Sequence, residues 1–161
     1  MSTVYTVGHS AHSSDAFAAL LTTQAIEVVV DIRSAPYSRF APQFDREVLQ
    51  RALTKLTIKY LFLGAELGGR PQNPAYYDSR GHVLYSRITA DPAFLSGVER
   101  LERGMAEFRV ALLCGEEEPA HCHRRLLVGR VLMQRKHQVL HIRGDGRWNQ
   151  TPRLPQNQGK S

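Results

Sequence analysis

The sequence predicts an α/β fold: a single-domain, three-layer architecture with a five-stranded, mainly parallel sheet and helices on both faces. Three observations predict it. Short β-branched or apolar runs alternate along most of the chain with segments of helical periodicity. The run Glu27 to Ile32 is almost continuously apolar, as strands buried on both faces of a parallel sheet are. The 161 residues suffice for one domain whose core forms without disulfide or metal. Right-handed crossovers then divide the helices between the two faces. The expected strand order is Rossmann-like, 3-2-1-4-5, with a crevice where strands one and four part.

Each element has a local reason. Thr3 to Val7 reads as the first strand, ending at Gly8. Ser13 and Ser14 suit a helix cap, because a side-chain oxygen accepts a first-turn N–H; Phe17, Leu20 and Leu21 then share one face. Glu27 to Ile32 is the second strand, ending at Arg33. Asp45 suits the cap of a second helix, in which Val48, Leu49, Ala52, Leu53 and Leu56 follow the 3.6-residue period. Ile58 to Leu63 is the third strand. From Gly64 to Ala90 the pattern lapses into what reads as a long ordered loop, with Gly68, Gly69, Pro71, Pro74, Tyr76, Tyr77 and Tyr85; loops of this length in compact domains are usually functional. Asp91 and Pro92 form a helix start, followed by Phe94, Leu95, Val98, Leu101 and Met105 on one face. Phe108 to Leu113 is the fourth strand, ending at Cys114. Pro119 opens a last helix with Leu126, Leu127, Val131 and Leu132 inward, and Gln138 to Ile142 is the fifth strand. The domain is expected to span 1–148. The Pro-, Gln- and Asn-rich stretch 149–161 reads as a loose extension.

Composition narrows the function classes. Lys plus Arg number 21 against 15 acids, a net charge of +6, and 17 of the 21 are arginines. An Arg-favouring genome accounts for such a count, and so does an anionic partner such as a nucleotide, a nucleic acid or a phosphorylated metabolite. The longest apolar run, Ala25 to Val30 with Glu27 inside it, is too short to span a bilayer, so no membrane partner is expected. No basic n-region precedes an apolar stretch, which predicts a cytoplasmic protein with reduced cysteines. Neither a Walker-type phosphate loop nor a G-x-G-x-x-G after a strand is present, and no cofactor is predicted. Seven residues separate Cys114 from Cys122, which fits no common zinc spacing, and no metal is predicted.

The unusual residues gather at strand ends, where ligands of open α/β sheets bind. Strand one ends in Gly8-His9-Ser10; strand two in Asp31-Ile32-Arg33, then Ser34, Pro36, Ser38 and Arg39; strand four in Cys114-Gly115-Glu116. The last helix begins around His121-Cys122-His123-Arg124. Bland readings stand beside each: His9 and Ser10 as a turn cap, Asp31 with Arg33 as a structural pair, Cys114 as a small buried hydrophobe. Cys122, in a first helical turn among His121, His123 and Arg124, has the setting that lowers a thiol's pKa, and packing of the helix start is its bland alternative.

Five collinear segments carry a resemblance: VYTVGHSAHSSDAFAALL, VVVDIRSAPYSRFAPQFD, IKYLFLGAELGGR, RGHVLY and LLCGEEEPAHCHRRLL. Together they resemble the family of domain of unknown function 488, uncharacterised bacterial and archaeal proteins, from about Val4 to Ile142. The C-x-E-x(5)-C-H-R segment is distinctive. The resemblance maps recurring polar positions onto Gly8, His9, Ser10, Asp31, Arg33, Pro36, Ser38 and Arg39. It continues through Leu67, Gly68, Gly69, Arg80, Gly81 and Tyr85, and ends with Cys114, Glu116, Cys122, His123 and Arg124. Glu117-Glu118 departs from the Lys-Asp expected there and makes that loop more acidic. The resemblance implies an α/β fold and a shared site, but no reaction.

The first expectation for function is an enzyme acting on an anionic nucleotide, nucleoside or nucleic-acid substrate. Asp31, Glu116, Cys122 and His123 are the candidate catalytic groups. His9, Ser10, Arg33, Ser38, Arg39, Arg80, Tyr85 and Arg124 are the candidate anion- or substrate-binding groups, and Tyr76, Tyr77 or Tyr85 can stack on a base. Glycosidic-bond hydrolysis assisted by a carboxylate suits this mix. The alternatives are a cysteine-dependent enzyme using Cys122 or Cys114, although the phosphatase spacing C-x(5)-R is absent, and a non-catalytic nucleic-acid-binding module. Oligomeric state is left open by the sequence.

Overall fold

In a computed structural model, which describes residues 2–68, 74–81, 84–115 and 123–150, the apolar runs become strands and the periodic segments helices. The strands are β1 (Thr3–Gly8), β2 (Val28–Asp31), β3 (Lys59–Phe62), β4 (Val110–Cys114), β5 (Gln138–Ile142) and a short β6 (Trp148–Gln150). The helices are α1 (Ser14–Thr23), α2 (Arg46–Lys55), α3 (Gly64–Leu67), α4 (Tyr85–Thr89), α5 (Pro92–Glu107) and α6 (His123–Gln134), with 3-10 turns at Pro42–Phe44 and Pro74–Tyr76. The stretch expected to be one loop between Gly64 and Ala90 thus contains two short helices and a 3-10 turn. Two expected caps form: Ser13 accepts from Ala16 N at 3.1 Å and Asp91 from Ala93 N at 2.7 Å. Asp45 precedes α2 but does not cap it with its side chain. No helix among the described residues is long and apolar enough to cross a membrane.

The chain is α/β with five parallel strands, as the sequence predicts, and β6 adds an antiparallel edge on β5. Pairing therefore continues through Gln150, past the point where the loose extension was expected to begin. The strand order is corrected: β3-β2-β4-β1-β5-β6, with β4 between β2 and β1, in place of 3-2-1-4-5. The two orders demand the same crossovers. In either, α1 and α2 follow strands stepping one way and cover one face, and the later helices return over the other. Periodicity therefore cannot separate them. What separates them is the central slot, which goes to Val110–Cys114, a strand buried at every residue and hydrogen-bonded on both edges.

Two cores flank the sheet. On one face Phe17, Leu21, Leu49 and Leu53 of α1 and α2 pack on Tyr5, Val7, Val29, Leu113 and Leu140. On the other, Phe94, Val98 and Leu101 of α5 and Val128 and Leu132 of α6 pack on Val4, Val28, Val30, Leu112 and Val139. Opposite the strands' carboxyl ends, Glu102 of α5 ties down the start of β5. It accepts from Arg135 Nε at 2.9 Å and lies 2.6 Å from His137 Nε2, while His137 Nδ1 accepts from Ser2 N at 3.3 Å.

Arg135 first, and His137 after it, hold the Glu102 carboxyl below its ordinary range, against the opposing effect of burial. A depressed carboxyl contributes stability above its unfolded pKa of ~4.3 and loses it as pH falls through the folded value. Glu102→Gln should cost about 0.5–1 kcal/mol at pH 7, modest because the pair is partly solvated. Urea unfolding should show the gap from wild type closing below about pH 4.

Candidate functional site

The β1–β4 ladder runs on past both strands: His9 N donates to Cys114 O at 3.0 Å and Ser10 N to Gly115 O at 2.9 Å. On the other edge Ile32 N donates to Leu113 O at 3.1 Å. Because β4 is central, His9 and Arg33 flank Gly115 from opposite sides. His9 and Cys114 stand at the same sheet end, at the β1–β4 seam where the crevice was expected. A cleft of about 400 Å³ opens there, lined by His9, Ser10, Ala11, Arg33, Ala35, Tyr37, Ser38, Phe40, Ala41 and Gly115. A larger hollow between the outer surfaces of α1 and α2, including Ala18, Val48 and Leu56, holds none of these strand-end groups.

The floor of the cleft is built on Asp31, which has no exposed surface. A buried carboxylate needs its lone pairs filled, and these are. Oδ1 accepts from Arg33 Nε at 2.9 Å and Arg33 N at 3.1 Å; Oδ2 accepts from Arg33 Nη2 at 2.8 Å and Tyr60 Oη at 2.6 Å. Burial, then the bond to Asp31, pushes the Tyr60 phenol well above 10, so it remains a donor. Arg33, 3% exposed, also donates through Nη2 to Phe44 O at 2.8 Å; its Nη1 has no partner among the described residues. Asp31 thus positions the guanidinium and has no lone pair to spare for a proton or a carbon.

His9 is buried, with its ring stacked on Phe44 at 4.8 Å between centroids. Its Nδ1 lies 2.8 Å from Ser10 O, and a carbonyl only accepts, so Nδ1 carries the proton. Nε2 turns toward Gly115, 3.7 Å from where a Cβ would stand. Ser10 sits at φ 42°, a left-handed backbone that costs a non-glycine residue on the order of 1 kcal/mol. Ala11 N and Ala35 N, both at the cleft, donate to no group among the described residues.

The loop 37–40 forms the outer wall. Asp45 spends its side chain here, accepting from Ser38 N at 2.9 Å, and Ser38 Oγ accepts from Phe40 N at 3.2 Å. Behind Arg33, α3 comes so close that side chains are excluded. A Cβ at Gly64 would lie 2.0 Å from Arg33 O, and one at Gly68 2.9 Å from the Ser34 Cβ. The two Leu-Gly steps of this segment, Leu63-Gly64 and Leu67-Gly68, thus form a steric seat for the Arg33 loop.

Of the sequence candidates, His9, Ser10, Arg33 and Ser38 line the cleft, and Asp31 lies beneath it. Arg39 is exposed beside the cleft but does not line it, and Arg80 is exposed with its N–H on Asp78 at 2.8 Å. Tyr77 does not line the cleft either. Glu116, His121 and Cys122 lie outside the described residues, as do the side chains of Tyr76, Tyr85, His123 and Arg124. Cys114 is 1% exposed and disulfide-bonded, which corrects the expectation of reduced thiols; a sulfur so engaged is no attacking thiolate. Sequence reasoning missed Tyr37, Phe40 and Tyr60. The first two stood in the quoted APYSRF segment, and two aromatics in a polar loop were the signal. Nothing local marked Tyr60, whose role depends on β3 lying beside β2.

Removing one partner of a buried ion pair strands the other, so Asp31→Ala should destabilise by about 3–5 kcal/mol. Tyr60→Phe, which removes one donor to a charged acceptor, should cost about 1.5–3 kcal/mol. A raised phenol pKa contributes stability that is whole below the unfolded pKa near 10 and is lost as pH rises toward the folded value. Denaturant melts should therefore show the Tyr60→Phe deficit shrinking above about pH 10.

No curated protein and no solved structure matches the chain. One family model does, over residues 13–131, a span that holds Asp31, Arg33, the 37–40 loop, α3 and β4. With most of its length matched, the chain belongs to the family described as Domain of unknown function DUF488.

Proposed function

We propose that the cleft is the substrate site of an enzyme acting on an anionic ligand of the nucleotide class. The observation that supports this best is the cleft floor. It combines a guanidinium locked by a buried carboxylate, with Nη1 left over, and two N–H groups, Ala11 and Ala35, that donate to nothing among the described residues. Ser38 Oγ accepts from Phe40 N, so its own proton is available to a ligand. Fixed donors of this kind suit phosphate oxygens, since no reorganisation is needed on binding. Tyr37 on the wall offers a π-face to a base or sugar.

His9 supplies the proton chemistry in this reading. With Nδ1–H held by Ser10 O, His9 turns Nε2 toward the Gly115 side of the cleft, and an imidazole nitrogen there can exchange a proton. Asp31 is a positioning residue. Attack or assistance by a carboxylate at an anomeric carbon then falls to Glu116, the remaining acid among the sequence candidates. The cysteine alternative requires the Cys114 disulfide to be reduced, because the chain has only two cysteines.

Inorganic phosphate and mononucleotides should raise the melting temperature by several degrees at saturation, because a ligand that binds only the native state adds about 2.7 kcal/mol at 100 times its Kd. Ser38→Ala should weaken that binding roughly 10- to 150-fold, the worth of one hydrogen bond to a charged group. Unchanged melting with every one of these ligands at millimolar concentration would reject the reading. For the chemistry, base release from nucleosides and nucleotides should survive Cys122→Ser and vanish in Glu116→Gln; the opposite result would favour the thiol enzyme.

A further inference from the structure

Phe40 is 94% exposed, far more than Tyr37 at 56% or Trp148 at 48%, the next most exposed large hydrophobic residues among those described. Water is a poor environment for a whole phenyl ring, and this one is not there through slackness. Its own N–H is bonded to Ser38 Oγ, Ser38 N to Asp45, Arg46 N to Pro36 O at 3.0 Å, and Tyr37 Oη to Glu47 at 2.7 Å. Arg39, between the two aromatics, is exposed and has no carboxylate partner among the described residues. The loop thus presents ring, guanidinium and ring outward from the rim of the cleft in a pre-organised form.

We infer that this loop is a stacking platform for an unpaired nucleic-acid strand, and that the substrate is a polynucleotide rather than a free nucleotide. The inference rests on the cleft reading above and gives its substrate class. Size is the first argument. At about 400 Å³ the cleft lies near the small end of ligand pockets, ~300–1,000 Å³, and accommodates one nucleotide unit. Phe40 borders the cleft, but with 94% of its surface exposed most of the ring faces past that unit. Charge is the second. A phosphate leaving the cleft meets Arg39, on a chain of net charge +6, whereas an apolar peptide has no use for a guanidinium between the rings. Chemistry is the third: every base has a π-face, so Tyr37 and Phe40 can hold a strand of any sequence, with Arg39 on its backbone.

The test compares fluorescein-labelled oligo(dT) and oligo(rU) eight-mers, by anisotropy, with dTMP, UMP and inorganic phosphate, by thermal shift, all on the full chain. An eight-mer should bind at least tenfold more tightly than its mononucleotide. Phe40→Ala should weaken the eight-mer by about 5- to 100-fold, the range of one lost stack, and by more than it weakens the mononucleotide. Phe40→Trp should restore binding. Arg39→Gln should lower eight-mer affinity by more than it lowers the mononucleotide shift, and flatten the eight-mer's salt dependence by about one phosphate's worth. Eight-mers that bind no better than mononucleotides, or a Phe40→Ala effect equal on both, would overturn the inference and leave the cleft reading intact. So would the absence of eight-mer binding with phosphate binding retained, which would assign the loop to a protein partner. Eight-mer binding that depends on Phe40, without any mononucleotide or phosphate shift, would uphold the strand platform and reject the cleft floor as the anion site.

Discussion

A carboxylate with no exposed surface needs each of its oxygens filled, and around Asp31 this requirement shapes the whole carboxyl-terminal edge of the sheet. Arg33 answers it with three donors, two from a rigid fork and one from the backbone, and Tyr60 with a fourth. Each donor imposes a condition elsewhere. Arg33 must turn back over its own strand, which holds the following loop near the β4 end. Tyr60 must come from a parallel neighbour in register, and β3 provides it two residues before its end. Phe44 must give its carbonyl to Arg33 and its ring to both His9 and Phe17, which joins the turn before α2 to the end of β1. The Arg33 Nη1, with no partner among the described residues, is therefore what remains after the fold has used the rest.

Strand order supplies the second condition. With β4 between β1 and β2, the described residues that follow the three strands meet around Gly115, with His9 and Ser10 after β1 on one side and Arg33 after β2 on the other. A glycine between an imidazole and a guanidinium leaves the space between them open as part of the cleft. The seat behind Arg33 follows the same logic. Gly64 and Gly68, four residues apart, let a single helical turn lie against the loop backbone at distances no side chain permits.

Several elements were legible because their causes are local. Ser13 and Asp91 cap helices with side chains one turn away, and Pro92 pre-sets the first helical residue. The apolar run in β2 implied burial on both faces, and the convergence of His9, Ser10, Arg33 and Ser38 at one rim followed from parallel strands all ending on the same side. Asp45 shows where local reasoning stops. It stands at the cap position of α2 with the right chemistry, yet its carboxylate goes to Ser38 N in the wall of the cleft. A short acidic side chain has two donors within reach there, and the choice depends on a loop folded back by Arg46 and Pro36. The aromatic wall was missed for a related reason: composition marks Tyr37 and Phe40 as apolar, and only their exposure reveals them as surface groups.

The chain's own pattern was enough to dictate the class of fold, the helix faces and the end of the sheet where chemistry collects, because periodicity, capping and crossover handedness act over a few residues or follow from chirality. It did not dictate which strand takes the centre. Val4–Val7 and Val110–Cys114 are both buried on both faces, and either order gives each helix the same sheet face to cover. That choice comes from pairing between strands about a hundred residues apart, and so does everything built on it: His9 and Arg33 on either side of Gly115, Tyr60 against Asp31, and a guanidinium with one edge buried and the other at the cleft. Such contacts have no period along the sequence. Their partners are set by the closed packing of the sheet, so only the tertiary structure decides them.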